Sequence, residues 1–288
     1  MTTKLQHHAT IAGLRSALAA HRRAGKRIAL VPTMGFLHEG HLSLVDAARN
    51  VADVVVMSLF VNPRQFQPGE DFDRYPRDMA HDQALAEARH VDILFSPEVG
   101  EMYGGGDELR IVPGETAARW EGEFRPGHFE GVLTVVAKLF NIVQPDVACF
   151  GQKDIQQVTL IRRMIQELDF PVRMLVSPTI READGLARSS RNVYLSAEER
   201  LRALALVRGL RAAESAFERG ERDADRLRQL VRQSLDAEVD VVTDYIAVVE
   251  PNRLAPVPVV DAGTIIAIAA RVGATRLIDN VILGDEDV

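Results

Sequence analysis

Arg27-Ile28-Ala29-Leu30-Val31-Pro32-Thr33-Met34-Gly35-Phe36-Leu37-His38-Glu39-Gly40-His41 is the stretch that decides the fold. Its first five residues read as a core β-strand, and from about His41 the pattern turns helical over 41–51. A strand that runs through a glycine-bearing turn into a helix is the opening of a parallel sheet covered by helices. Such a turn lies at the carboxyl end of a strand, where ligands bind in open α/β sheets. Backbone N–H groups at a helix start lack intrahelical partners and attract phosphate. Gly35 and Gly40 admit close backbone approach. His38 and His41 fall on one side of the helix start, where both imidazoles can donate hydrogen bonds to phosphate oxygens. Ordinary surface histidines or a zinc pair are the alternatives, but no further Cys or His stands nearby to complete a zinc site.

Working outward, 54–61 reads as the second strand, and further strands are expected at 92–95, 147–150 and 172–176. Helices are expected at 133–143 and at 154–168, where Ile155, Val158, Ile161, Ile165 and Leu168 recur at helical spacing. Beyond Pro178, Ser196 and Glu199 form a capping-box pattern that opens a long helix to about Arg219. A helix at 225–235 and β-rich runs near 245–249, 264–269 and 276–282 follow. The expected architecture is α/β: a Rossmann-like, doubly wound parallel sheet in residues 1–182, with a smaller α+β domain in 183–288 acting as a lid.

The bulk properties bound the rest. A chain of 288 residues can bury a sizeable core without staples. Cys149 is the only cysteine, so no intramolecular disulfide forms, and a thiol within an apolar run is a packing residue. A formal net charge of -7 argues against generic nucleic-acid binding. No apolar run approaches the roughly 18–20 residues of a membrane span, and the first 20 residues lack a secretory pattern, so a cytoplasmic chain is expected.

Three more segments carry chemistry. Phe150-Gly151-Gln152-Lys153-Asp154 repeats the strand–glycine–helix pattern, with Lys153 as a point charge for phosphates and Asp154 as a ribose acceptor or a helix cap. Gly185-Leu186-Ala187-Arg188-Ser189-Ser190-Arg191-Asn192 is a polar turn between the expected domains that can move, and two hydroxyls flanked by arginines suit a pyrophosphate leaving group. Val61-Asn62-Pro63-Arg64-Gln65-Phe66 brings Asn62 and Gln65 to one sheet edge, and Gln157 follows Lys153. Neutral amides orient a hydroxy-carboxylate without pairing its charge. The acidic group Asp71, Asp73, Asp78 and Asp82 either contains a magnesium ligand or forms a solvated face.

Taken together with Tyr75-Pro76-Arg77, these motifs closely resemble the pantothenate synthetase family over nearly the whole chain. That family joins pantoate to β-alanine at the expense of ATP and belongs to the nucleotidyltransferase superfamily. The resemblance implies two steps: the pantoate carboxylate attacks the α-phosphorus of ATP, and the β-alanine amine then attacks the acyl carbon of the adenylate. It implies an ATP site formed by Met34, Gly35, Phe36, Leu37, His38, Glu39, Gly40, His41, Gly151, Gln152, Lys153, Asp154, Ile180, Arg188, Ser189, Ser190 and Arg191. Of these, His41 is the implied proton donor, and His38, Lys153, Ser189, Ser190 and Arg191 share the catalytic work. Gln65 and Gln157 would hold pantoate with Asn62 alongside, Gln65 also lying near β-alanine. Mg2+ would accompany ATP, with Asp82 as the acidic residue to test, and the chain would form a homodimer. An adenylyltransferase of the same superfamily and a non-catalytic nucleotide-binding module are the alternatives.

Overall fold

The structure, a computed structural model, describes residues 4–104, 106 and 108–285. The chain divides into two compact units of three segments each. Met1–Gly114, Arg125–Gly151 and Leu160–Ser177 form the first, and Glu115–Phe124, Gln152–Thr159 and Pro178–Val288 form the second.

In the first unit, β1 (Gln6–His8), β2 (Ile28–Thr33), β3 (Val54–Leu59), β4 (Ile93–Phe95), β5 (Val147–Gly151) and β6 (Arg173–Ser177) make one sheet in the order β1-β4-β3-β2-β5-β6. Every pairing is parallel, and β2 runs beside β3 in unbroken register from Ile28 opposite Val54 to Thr33 opposite Leu59. Both central strands are buried on each face, as expected of a parallel sheet covered on two sides, which is why they read as continuous apolar runs. The first eight helices of the chain are α1 (Ile11–Arg23), α2 (Glu39–Arg49), α3 (Met79–Ala88), α4 (Val99–Tyr103), α5 (Glu115–Ala118), α6 (Glu121–Phe124), α7 (His128–Val143) and α8 (Ile155–Glu167), of which α5, α6 and the start of α8 belong to the second unit. From α2, Leu44, Val45 and Ala48 join a core with Val31, Val55, Met57 and Leu94. The strand order reverses around β2: the chain leaves it toward β3 and later returns on its other side as β5. The carboxyl ends of β2 and β5 therefore flank the crevice in which open α/β sheets bind ligands.

Six elements go beyond the sequence reading, β1, α1, α3, α4, α5 and α6, and three of them show why. Of these, β1 is a three-residue edge strand, too short to show alternation. The second, α1, is opened by Thr10, whose hydroxyl accepts from Gly13 N, and buries Leu14 and Leu18 completely. The third, α3, buries only Asp82 and Ala86 and so lacks an apolar stripe.

In the second unit, β7 (Val241–Val249), β8 (Ile265–Val272) and β9 (Thr275–Ile282) form an antiparallel sheet in that order. Two helices, α9 (Ala197–Glu218) and α10 (Ala224–Asp236), pack with one face of it, joining Leu206, Leu210, Leu227 and Val231 to Ile246, Val248, Ile266 and Ile268. The expected capping box is present, Ser196 accepting from Glu199 N and Glu199 from Ser196 N. From β9, Arg276 bonds Glu121 at 2.6 Å and Asp244 at 2.7 Å, and Trp120 Nε1 donates to Leu254 O at 2.9 Å. Burial, together with the neighbouring Glu121 carboxylate, pushes the Tyr245 hydroxyl well above its usual range. These contacts bring 115–124 into the second unit, upstream of the boundary expected at 182.

Candidate functional site

The turn after β2 is built on two successive left-handed residues, Gly35 at φ 87° and Phe36 at φ 51°. That conformation turns the N–H groups of Phe36 and Leu37 toward one point, and the Asp82 carboxylate occupies it. Phe36 N donates to Oδ2 at 2.8 Å and Leu37 N to Oδ1 at 2.7 Å. A Cβ on Gly35 would lie 2.9 Å from Oδ2, so glycine is required both by conformation and by the approach of the acid. Further along, Gly35 N donates to Thr33 Oγ1 and Gly40 N to His38 Nδ1. Much of the amide cradle read from the sequence is thus filled by the protein's own groups. The side chains project the chemistry.

His38 is the N-cap of α2, and its Nδ1 accepts from Gly40 N at 3.1 Å. An accepting Nδ1 assigns the ring proton to Nε2. The His41 ring stacks on that of His38, with centroids 4.1 Å apart and planes at 25°. The two imidazoles therefore act as one face. Glu39, between them in sequence, is exposed and ion-paired with Arg89 at 2.6 Å.

The sequence offers Asp82 as the metal residue, and the geometry does not fit that role. Only 3% exposed, it spends both oxygens on the turn. Burial raises its pKa against the lowering effect of those two N–H groups. Among the described residues, no group of three or more His, Cys, Asp or Glu side chains could hold a metal ion.

At the end of β3, Asn62 and Gln65 come together as expected, Asn62 Nδ2 donating to Gln65 Oε1 at 3.1 Å. Asn62 is 1% exposed and fully engaged. Its amide also donates to Gly131 O, and its Oδ1 accepts from the Tyr103 hydroxyl and Arg64 N. An amide with all four positions in use orients its neighbour. That neighbour, Gln65, is half-buried and donates to the Met34 sulfur at 3.1 Å, one step from the histidine turn. The Gln65 carbonyl is itself held by His128 Nδ1 at 2.8 Å and Arg125 Nη2 at 3.2 Å, while Arg125 grips both oxygens of Glu70 at 2.8 and 2.6 Å. Burial alone would raise the Glu70 carboxyl, but Arg125 holds it below the usual range. Gly131 lets α7 lie against this turn, since a Cβ there would stand 2.5 Å from Arg64 C and 2.7 Å from Gln65 N. Sequence reasoning missed Arg125, His128, Glu70 and Gly131, which lie in no recognisable motif.

The second unit carries the other expected residues. After Gly151 closes β5, Gln152, Lys153 and Asp154 form one 3-10 turn into α8, with Lys153 half-buried and Asp154 exposed, their charges 3.9 Å apart. Gln157 is half-buried on α8. Its neighbour Gln156 is tied down, donating to the carbonyls of Thr116 and Arg119 at 2.9 Å each. Ile180 and Arg188 meet across a hairpin, Arg188 N donating to Ile180 O at 2.9 Å. Ser189 caps the 3-10 turn 190–194, its hydroxyl accepting from Arg191 N at 3.3 Å, and Ser190 is buried. Asn192 anchors the turn through Ala187 O at 3.1 Å and Glu182 at 3.3 Å. Cys149 is buried in β5, and burial pushes its thiol up to about 11, so it is no nucleophile at neutral pH.

A parallel sheet whose order reverses around β2, with two stacked imidazoles in the turn that follows that strand, defines an α/β protein of the Rossmann-like class. Comparison with known proteins narrows the class. The model of the pantoate-beta-alanine ligase family matches residues 6–282, and the chain belongs to that family. It is 54% identical over 275 residues to pantothenate synthetase 1 of Bradyrhizobium diazoefficiens, covering 95% of this chain and 96% of that protein. The crystal structure of pantothenate synthetase from Thermus thermophilus superposes with a TM-score of 0.92 at 47% identity, over 96% of this chain and 99% of the other. The pantoate-beta-alanine ligase of Francisella tularensis, complexed with beta-gamma ATP and beta-alanine, gives 0.81 at 32% identity, over 96% and 97%.

Proposed function

We propose that this chain joins pantoate to β-alanine, converting ATP to AMP and pyrophosphate through a pantoyl adenylate. The observation that carries the reading lies within the first unit: the turn that ends in the stacked His38–His41 pair begins at Met34, whose sulfur accepts from the Gln65 amide. A phosphate-binding face beside a neutral carboxylate-binding amide is what acyl adenylation requires.

The first step forms a bond between a pantoate carboxylate oxygen and the α-phosphorus, and breaks the bond from that phosphorus to pyrophosphate. His38 Nε2–H and His41 stabilise charge on the phosphate oxygens, with His41 giving a proton to the departing side. Lys153 and the Ser189-Ser190-Arg191 turn of the second unit are assigned to ATP binding on family grounds, together with the backbone at Gly151, Gln152, Ile180 and Arg188. In the second step the β-alanine amine attacks the acyl carbon, the carbon–oxygen bond to AMP breaks, and the amide forms. Positioning supplies most of the acceleration, and no side-chain nucleophile is needed. Gln65 and Gln157 hold pantoate, and Asn62 sets the amide of Gln65. Mg2+ is assigned to the nucleotide phosphates, in keeping with its usual mode of binding, and not to a carboxylate cage. A homodimer and a cytoplasmic location complete the proposal on family grounds.

The test is product analysis with ATP, Mg2+, pantoate and β-alanine. Equal amounts of AMP and pantothenate support the reading. An adenylylated product that retains AMP points to the adenylyltransferase alternative, and ATP binding without acid-dependent turnover points to a non-catalytic module.

A further inference from the structure

Two neighbouring residues of β9, Asp279 and Asn280, have no place in the chemistry above, yet they are among the most buried polar side chains of the second unit, 2% and 1% exposed. Successive residues of a strand face opposite sides of the sheet, so the two work in opposite directions. Asn280 reaches the lysine turn. Its Nδ2 donates to the carbonyls of Gln152 and Lys153, each at 3.0 Å, and its Oδ1 accepts from Gln152 Nε2 at 3.3 Å. Asp279 takes a forked guanidinium contact from Arg181, at 2.7 and 3.1 Å, and its Oδ1 also accepts from Asn280 N at 2.8 Å. Arg181 stands at the base of the hairpin that delivers Ser189. It pairs with Ala187 across the hairpin and donates to Gly185 O at 3.2 Å.

We infer that the Asp279–Asn280 pair registers the Lys153 turn against the Ser189–Arg191 turn, which makes Asn280 a positioning residue for the ATP-facing cation. The inference rests on the phosphate role proposed for Lys153. A buried amide is unfavourable unless its hydrogen bonds are made, and an apolar residue would hold β9 in its sheet equally well. What the amide adds is direction. Both donated bonds end on the backbone of the turn itself, one of them on the carbonyl of Lys153, so they fix where the lysine side chain departs. Asp279 does the same for the hairpin through a bidentate contact, the geometry in which an arginine–carboxylate pair is most specific.

The experiment is a double-mutant cycle of Asn280→Leu with Lys153→Ala, read by pantoate-dependent exchange of pyrophosphate into ATP and by thermal melting. Asn280→Leu alone should lower the exchange rate constant by about 10- to 100-fold, the scale of a misplacement approaching 1 Å, with the KM for pantoate changed by less than about threefold. In the Lys153→Ala background the same substitution should change the rate by no more than about twofold, because the group it positions is gone. Should Asn280→Leu fail to fold, Asn280→Ser, which keeps one donor, runs the same cycle. Equal losses in both backgrounds, or an unchanged rate in Asn280→Leu, would overturn the positioning role alone. Normal exchange in Lys153→Ala would instead overturn the phosphate role of the lysine and this inference with it.

Discussion

Replacing Gly131 with alanine perturbs the proposed acid pocket without changing any side chain assigned to substrate, because the clash falls on backbone. The added Cβ would stand 2.5 Å from Arg64 C and 2.7 Å from Gln65 N, and closer still to Arg64 O. Non-bonded carbon contacts settle at about 3.5–4.0 Å, so the turn 63–65 must retreat by roughly 1 Å. Overpacking of this kind costs about 1–3 kcal/mol, and alanine returns up to about 1 kcal/mol in helix propensity. The net loss is thus expected to be about 0–3 kcal/mol, a change of several degrees in Tm at most that leaves the protein folded. Function should suffer more. A shift of about 1 Å in Gln65 should lower kcat/KM for pantoate by about 100-fold while the Kd for ATP stays within about threefold. The assay is steady-state pyrophosphate release at varied pantoate, alongside ATP titration calorimetry. Gly100→Ala, whose Cβ meets nothing within 4 Å, is the control and should behave as wild type. A Gly131→Ala variant with normal kcat/KM for pantoate would refute the assignment of Gln65 to the acid pocket.

Three further outcomes are expected. Asp82→Asn exchanges one acceptor for a donor opposite Phe36 or Leu37, so Tm should fall by the equivalent of about 1–3 kcal/mol and turnover should drop, while the Mg2+ concentration for half-maximal rate stays unchanged. A strongly raised Mg2+ requirement would restore Asp82 as a ligand. His41→Ala should reduce pantoate-dependent pyrophosphate release by about 10²–10³-fold with a normal circular dichroism spectrum, and near-normal release would remove the imidazole from the phosphate site. Because the Glu70 carboxyl is held below 4.5 in the folded protein, its pairing with Arg125 stabilises above pH 4.5 and is lost as pH falls through the lowered value. Glu70→Gln should therefore be less stable at pH 7 and show a shallower decline in chemical-denaturation stability on acidification, and a slope equal to wild type would contradict the pairing.

Where function and fold use the same residues, the sequence is legible. The apolar runs of β2 and β3, the turn from Gly35 to His41 and the Ser196–Glu199 cap each carry a local signal, and each forms as expected. The stacking of His38 on His41 joins the N-cap of α2 to its first turn, three residues on. Asp82 reads as a metal ligand in sequence because its partners are backbone N–H groups 45 and 46 residues away, which no composition reveals. Asn62 reads as a ligand amide until its four hydrogen bonds are counted. Gly131 and Asn280 are more hidden still, since each acts through close approach to backbone from another part of the chain. Such residues gain meaning only when tertiary neighbours are known.

The central claim is that an acid is activated on the α-phosphorus of ATP, and it is tested most directly by following oxygen. Pantoate labelled with oxygen-18 in its carboxylate should be turned over with ATP, Mg2+ and β-alanine, and the nucleotide examined by mass spectrometry. Attack by the carboxylate on phosphorus and later cleavage of the carbon–oxygen bond should leave one labelled oxygen in each AMP, in equal amount to pantothenate. Unlabelled AMP, or label appearing with ADP or free phosphate, would contradict the acyl-adenylate route.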